Sequence, residues 1–141
     1  MDMQHAKTMI DAFYEAKRIW EQMPSLPEGV VPSYIHLLDT ITLLAGAGKP
    51  VRVSDVAAQR GIPRPGVTRA FSDMEKKGLV KKTKDSKDKR IVYVELTGKG
   101  RRIHQSYSVD YFQEMAEKLS GFSNQDVERL VAFVRGVREA L

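Results

Sequence analysis

The side chains best suited to chemistry in this sequence are cationic, and most of them lie in the middle of the chain. Residues 51–104 contain 15 Lys and Arg against 6 Asp and Glu, a balance of +9, whereas the whole 141-residue chain carries only +5. Concentrated positive charge attracts polyanions. This region is therefore predicted to bind one, and the alternative is a solvated, lysine-rich surface.

Other kinds of chemistry have little support. The three histidines, His5, His36 and His104, are far apart and form no His-x-x-x-His pair. The sequence also contains no Gly-rich phosphate loop and no nucleophile with an evident base partner. Without Cys, disulfides, thiolate metal sites and thiol redox switches are excluded. We therefore expect no catalytic residue, no metal and no cofactor.

The composition is that of a globular protein, with 42% hydrophobic and 29% charged residues. The sequence contains no uncharged apolar run of about 18 residues, so no transmembrane helix is predicted. The stretch Met1-Asp2-Met3-Gln4-His5 lacks the charged-then-apolar order of a signal peptide. We expect a cytoplasmic protein of about one domain with no membrane association.

Periodicity places the cations on helices and one hairpin. Apolar residues at helical spacing predict six helices, whose starts or caps are Met3, Ser33, Ser54, Pro65, Thr97 and Ser123. The fifth is predicted to run unbroken to Gly121. Residues 79–96 instead form two β-rich runs around a charged tip, which predicts a hairpin. The predicted fold is mainly α with a small β-hairpin wing, a winged helix-turn-helix plus a helical dimerisation region.

Residues 53–73 have the spacing of a helix-turn-helix. Ala57 is small where two helices must cross, and Gly61 suits the positive φ of the turn. We expect Ile62 to fill the gap between the helices. The bare pattern is only moderately specific, but the hairpin follows it directly and both elements are basic. In such motifs the second helix enters the DNA major groove.

The outward face of that second helix supplies the first set of candidate DNA contacts, Arg64, Thr68, Arg69, Ser72 and Lys76. The first three are predicted to reach base edges, because Arg grips guanine bidentately and Thr bonds a base or touches a thymine methyl. Ser72 and Lys76 lie farther back and are predicted to contact phosphates. For each Arg the alternative is an ordinary solvated side chain.

The hairpin tip supplies the second set, Lys84, Lys87, Asp88, Lys89 and Arg90. A carboxylate two residues before Arg90 can orient its guanidinium. A preorganised Arg suits a narrow minor groove, where the negative potential is strongest. The alternative is a charged turn that keeps the hairpin soluble and protects its edge from pairing.

At two places the sequence resembles the MarR family of winged helix-turn-helix transcription regulators. Residues 67–80 form one, and residues 85–100 resemble the family's wing signature of an Asp, a second Asp, an Arg, then Leu-Thr and a Gly. The resemblance implies that Arg90 enters the minor groove and that Asp88 braces it. Two departures are Ile91, where an acidic residue often follows the Arg, and Pro63-Arg64-Pro65-Gly66, where a Ser/Thr-rich cap often stands.

The resemblance also implies a homodimer formed by the first and last helices. Their apolar stripes are too wide for the basic middle to cover, although packing within one chain is the alternative. The predicted domains are an N-terminal dimerisation helix and loop (1–32), a winged helix-turn-helix DNA-binding lobe (33–100) and C-terminal dimerisation helices (101–141). Two copies would bind a pseudo-palindromic double-stranded operator, with half-sites roughly 34–36 Å apart, as a repressor.

Members of the family commonly release DNA when a small aromatic or phenolic ligand binds between the dimer helices and the lobe. The candidate lining residues are Tyr34, His36, Tyr107 and Tyr111, although aromatic residues at helical spacing more often belong to a core. Two alternative functions are a winged-helix module that binds protein and a metal-responsive regulator using carboxylates with His36 or His104. RNA binding is disfavoured because exposed aromatics do not alternate with the cations.

Overall fold

The computed structural model describes all 141 residues and divides into two compact units, Met1–Val31 and Pro32–Leu141. The first unit contains one helix, α1 (Met3–Glu21), followed by a loop. The Asp2 carboxylate caps α1 by accepting from the backbone N–H of His5 at 2.8 Å. No side chain of α1 is buried, and its exposed large apolar residues are Met3, Ile10, Tyr14, Ile19 and Trp20.

The second unit contains six α-helices, one π-helical segment and a two-stranded hairpin. In chain order these are α2 (Pro32–Ala45), α3 (Val53–Arg60), α4 (Arg64–Lys76), β1 (Val80–Lys84), β2 (Val92–Leu96), α5 (Gly98–His104), the π-helical segment (Gln105–Asp110), α6 (Tyr111–Lys118) and α7 (Asn124–Ala140). The predicted fold class, mainly helical with a hairpin wing, is confirmed. None of the helices combines the length and the apolar character needed to cross a membrane.

A single hydrophobic core joins α2, α3, α4 and the hairpin. Its most deeply buried side chains are Leu38, Ile41, Val56, Val67, Phe71, Met74, Leu79 and Val80. Burying one side chain of this size contributes about 1.5–3 kcal/mol. Three of these residues lie on α4, so the core fixes which face of α4 is directed outward.

The strands pair antiparallel, with Val80 opposite Leu96 and Lys84 opposite Val92. The chain before α3 extends this sheet, because the backbone N–H of Val94 donates to the carbonyl of Val51 at 2.9 Å. The middle of β2 is thereby held by the same segment that leads into the helix-turn-helix.

Two helix starts differ from the sequence prediction. Ser54 was expected to cap α3, but Arg52 is the N-cap residue, and the carboxylate of Asp55 accepts from the Arg52 backbone N–H at 3.0 Å. Likewise α2 begins at Pro32 and places Ser33 inside the helix. Proline suits a first helical turn because its φ is already helical and it has no N–H to leave unpaired.

The other two predicted caps are confirmed. The Thr97 hydroxyl accepts from the backbone N–H of Gly100 at 3.0 Å. Ser123 and Asp126 form a reciprocal capping box at the start of α7. In both cases a capping hydroxyl stands directly before the point where the apolar periodicity of the helix begins.

The turn between α3 and α4 matches the helix-turn-helix spacing at two of three positions. Gly61 ends α3 in the left-handed region, with φ 63°, and Ala57 is buried. The expectation for Ile62 is wrong, since its side chain is 40% exposed. Val67 and Phe71 fill the interior between the helices, while Ile62 lies against Gly66 at the surface.

The fifth predicted helix is helical from Gly98 to Lys118, as expected, but a π-helical segment lies between α5 and α6. Within that segment Ser108 is buried, and its hydroxyl donates to Asp39 of α2 at 2.6 Å. His104 Nε2 lies 2.6 Å from the same carboxylate oxygen. The wider π turn thus coincides with a polar anchor to α2, which an apolar stripe cannot reveal.

No side chain of α6 or α7 is buried. The exposed large apolar side chains between the start of α6 and the middle of α7 are Phe112, Leu119, Phe122, Val127, Leu130, Val131, Phe133 and Val134. Exposed apolar side chains in this number are typical of interaction sites.

Gly100 packs so closely on the hairpin that a side chain there must displace backbone. A Cβ at this position would lie 2.0 Å from the backbone oxygen of Leu79. We therefore expect Gly100→Ala to lower the free energy of unfolding by about 1–3 kcal/mol, as in overpacked cores. Urea denaturation followed by circular dichroism measures the change.

The matched control is Gly98→Ala in the first turn of the same helix. There the nearest heavy atom is Nη1 of Arg102 at 3.4 Å, the far end of a flexible side chain. Its free energy of unfolding should stay within about 0.5 kcal/mol of the parent value. Equal losses in the two variants would contradict the close contact.

Candidate nucleic-acid interface

Helix α4 presents its predicted contact residues at the protein surface. Arg64, Thr68, Arg69 and Lys76 are exposed, and Ser72 is half-buried. Because Val67, Phe71 and Met74 lie in the core, the helix cannot rotate without losing their burial. The outward set is therefore presented in one fixed orientation.

A carboxylate on α4 anchors the helix to α2. Asp73 accepts a hydrogen bond from the Tyr34 hydroxyl and another, at 2.6 Å, from Nζ of Lys77. Both bonds hold the pKa of Asp73 below its usual range, and the bond from Lys77 has the larger effect. The same contact with Asp73 raises the pKa of Tyr34 to about 12.

Strand β1 also forms hydrogen bonds with α4. The Ser72 hydroxyl accepts from Nζ of Lys82 at 2.9 Å, and the Glu75 carboxylate accepts from the Lys82 backbone N–H at 2.8 Å. Lys82 therefore adds a cation beside the recognition face that the sequence analysis missed. The available signal was strand alternation, which places Lys82 on the same face as Val80 and Lys84.

The turn of the hairpin is shaped by Asp85. Its carboxylate accepts from the backbone N–H groups of Lys87 and Asp88, both at 2.9 Å, and from the Tyr93 hydroxyl at 3.1 Å. The two backbone bonds are the main reason that the pKa of Asp85 is lowered. An Asp that bonds the backbone two residues ahead stabilises a tight turn. The sequence pattern places Asp85 in the wing but does not indicate this role.

The two residues that the sequence paired at the tip are hydrogen-bonded. Nε and Nη2 of Arg90 lie 3.0 and 2.9 Å from the two carboxylate oxygens of Asp88, and the Arg90 backbone N–H adds a third bond at 3.0 Å. The Arg90 side chain is nevertheless 90% exposed. Two-pronged contacts fix guanidinium orientation, so Arg90 is oriented while open to a ligand.

The remaining cations of the wing surround this pair. Lys84, Lys87 and Lys89 are exposed, so the tip presents positive charge in several directions around Arg90. Such a surface is suited to a polyanion with closely spaced charges.

The four candidate ligand residues occupy different settings. Tyr34 is bonded to α4, His36 is exposed, and Tyr107 and Tyr111 are half-buried on the π-helical segment and α6. A cavity of about 640 Å³ is lined by residues of α2, the hairpin and α5, and includes none of the four. The chain also has no cluster of three or more His, Asp or Glu side chains suited to a metal ion.

Helices α3 and α4 with the hairpin that follows define a winged helix-turn-helix protein. The sequence profile of the MarR family matches residues 37–91, from α2 to the wing. The HTH-type transcriptional regulator FarR of Neisseria gonorrhoeae is 36% identical over 83 residues, a match that covers 57% of this chain and 56% of that protein. From α2 to the wing, the chain is therefore similar to transcription regulators of the MarR family.

Two solved structures have the same fold along nearly the whole chain. FabT of Streptococcus pneumoniae in complex with DNA has a TM-score of 0.66 and 19% identity, covering 98% of this chain and 96% of its own. PcaV of Streptomyces coelicolor in complex with its natural ligand has a TM-score of 0.66 and 20% identity, covering 99% and 96%. At these identities the likeness shows the fold alone.

The titration of Asp88 tests whether the Arg90 brace forms in solution. Hydrogen bonds from Arg90 lower the pKa of Asp88. The brace therefore stabilises the wing fully at pH values above 3.8, the ordinary pKa of Asp, and this stabilisation is lost as the pH falls through the lowered pKa. Arg90→Ala should raise the Asp88 midpoint toward 3.8, as measured by ¹³C NMR of the carboxyl group.

Asp126 provides the internal control for that titration. Its pKa is lowered by Ser123 at the start of α7, with no contribution from the wing. Its midpoint should therefore be the same in the parent and in Arg90→Ala. An Asp88 midpoint that also stays unchanged would show that the brace is absent in solution.

Proposed function

We propose that this protein is a transcription regulator that binds double-stranded DNA as a homodimer, with α4 in the major groove and the hairpin in the minor groove. The observation that supports this most strongly is the exposed Arg90, held by Asp88 on a wing that directly follows an outward-facing basic helix. Positively charged, oriented side chains on two neighbouring elements suit successive grooves of a duplex.

Thr68 and Arg69 are the proposed base readers. Both are exposed near the start of α4, the part of a recognition helix that contacts base edges. Lys76 and Ser72 lie farther along the helix and are proposed to contact phosphates. The bond from Lys82 to Ser72 brings a second cation to that phosphate position.

On the wing, Arg90 is the proposed minor-groove residue and Asp88 its brace. Lys84, Lys87 and Lys89 are proposed to contact the phosphates on either side of the groove. Because such contacts release counterions, each neutralised phosphate should add about 0.9 to the slope of log affinity against log salt.

The proposed homodimer uses the exposed apolar faces of α1 and of α6 and α7. Burying these faces against a second copy removes apolar surface from water, which contributes roughly 25 cal/mol per Å². Two lobes related by a two-fold axis then meet a pseudo-palindromic operator, with half-sites about one helical turn apart. We propose that the protein binds such an operator at a promoter and acts as a repressor in the cytoplasm.

Release by a small aromatic ligand is part of the same proposal. The Tyr34 hydroxyl donates to Asp73 on α4, so a ligand that engaged Tyr34 would compete for a bond that holds the recognition helix. His36, Tyr107 and Tyr111 are the other proposed ligand contacts. The ligand would shift the population between conformations that bind DNA and conformations that do not.

Selection of bound duplexes from a random pool tests DNA recognition and gives the half-site sequence. With the selected duplex, Arg69→Ala should weaken binding by about 1–3 kcal/mol, or about 5- to 150-fold. It should also relax the preference at one base pair per half-site. Fluorescence anisotropy at fixed salt measures the affinity, and repeated selection measures the preference.

Arg129→Ala is the matched control, because it removes the same charge from an exposed position on the face of α7 opposite Val127. Its affinity and selected sequence should equal those of the parent. If Arg69→Ala and Arg129→Ala behave alike, Arg69 does not read DNA. If the parent selects no sequence and binds no duplex at low salt, the proposed function is wrong.

The dimer is tested by placing a charge on the apolar face of α7. Leu130 is 61% exposed within one chain, so Leu130→Glu should leave the fold intact. In a dimer the buried, unpaired carboxylate would cost several kcal/mol, so the variant should sediment as a monomer. Gln125→Glu, which adds the same charge on the opposite face of α7, should remain dimeric. A dimer in both variants would contradict this interface.

A further inference from the structure

A hydrogen bond joins the start of the recognition helix to the wing. Nη2 of Arg64, the first residue of α4, donates to the backbone carbonyl of Arg90 at 3.0 Å, across 26 positions of the sequence. The bond therefore connects the two elements that the proposed function assigns to different grooves of DNA.

This bond completes the hydrogen bonding of Arg90. The Arg90 backbone N–H and guanidinium both donate to Asp88, and its carbonyl accepts from Arg64. Since the Arg90 side chain is 90% exposed, packing does little to hold it. Its position depends on these polar contacts, and only the one from Arg64 comes from outside the hairpin.

The backbone around Arg64 is stiff. Arg64 lies between Pro63 and Pro65, whose rings fix their own φ near −65°. Its two neighbours therefore have little backbone freedom, and the planar guanidinium loses little freedom when it forms a hydrogen bond. A long, exposed side chain can hold a persistent contact under these conditions.

We propose that Arg64 is a positioning residue, which sets the distance between α4 and the wing by holding the carbonyl of Arg90. It does not act by reading a base. This role rests on the proposed DNA-binding function, and it concerns the spacing of α4 and the wing at the same site. Through this bond, the position of α4 in the major groove depends on the position of Arg90 in the minor groove.

A double-mutant cycle separates this role from base reading. With the selected duplex at low salt, where every variant binds measurably, Arg64→Ala should lower affinity roughly three- to tenfold, the effect of one net hydrogen bond. In the Arg90→Ala background the same change should have little further effect. The sequence selected from the random pool should be the same for Arg64→Ala and the parent.

Two further readouts do not depend on affinity. In the free protein, Arg64→Ala should shift the NMR signal of the Ile91 backbone amide, which adjoins the carbonyl that Arg64 contacts. Arg64→Lys, which retains a cationic donor, should recover part of the affinity lost in Arg64→Ala. Thermal unfolding confirms that each variant is folded.

Additive losses in the cycle, a relaxed preference at one base pair, or an unchanged Ile91 amide would overturn the positioning role. These outcomes differ from failure of the proposed function itself. In that case the parent would bind no duplex, and Arg69→Ala would have no effect, whatever happened at Arg64.

Discussion

The carboxylates of the basic region hold its elements together, and few of them form ion pairs with its cations. Five of the six Asp and Glu residues in 51–104 accept a hydrogen bond from a backbone N–H or a side chain within the protein. Only two of them, Asp73 and Asp88, form ion pairs with Lys or Arg. Most of the positive charge is therefore left exposed, on elements whose positions the carboxylates have fixed. The proposed DNA binding depends on both properties: carboxylates that fix the elements and cations that remain exposed on them.

The hydrophobic core and the polar contacts fix different properties of the lobe. Burial of Val67, Phe71 and Met74 sets the rotation of α4 about its own axis. Hydrogen bonds from Tyr34, Lys82 and Arg64 then connect the helix to α2, to β1 and to the wing tip. A ligand or a DNA groove that altered one of these three contacts would act on the position of α4 without disrupting the core. This is the physical basis on which a stable lobe can also respond to a signal.

The order of elements could be predicted from the sequence because it depends on local signals. Apolar periodicity, the hydroxyl caps at Thr97 and Ser123 and the glycine at position 61 each act within a few residues. The π-helical segment could not be predicted, since Ser108 is held by Asp39, 69 positions away. Strand alternation favoured Lys82 beside α4, but its bond to Ser72 required the packing of β1 on α4. Ile62 was misplaced because the motif specifies an apolar residue without showing that Val67 and Phe71 already fill the interior.

The most direct test is whether the wing lies in the minor groove of the bound duplex. The chain contains no cysteine, so Ser86→Cys, at an exposed position of the wing tip, provides one attachment point for an iron chelate that cleaves nearby DNA. On the selected duplex we expect two symmetric cleavage patterns centred in the minor groove, one beside each half-site. Cleavage centred in the major groove, or no localised cleavage by a labelled protein that still binds, would contradict it.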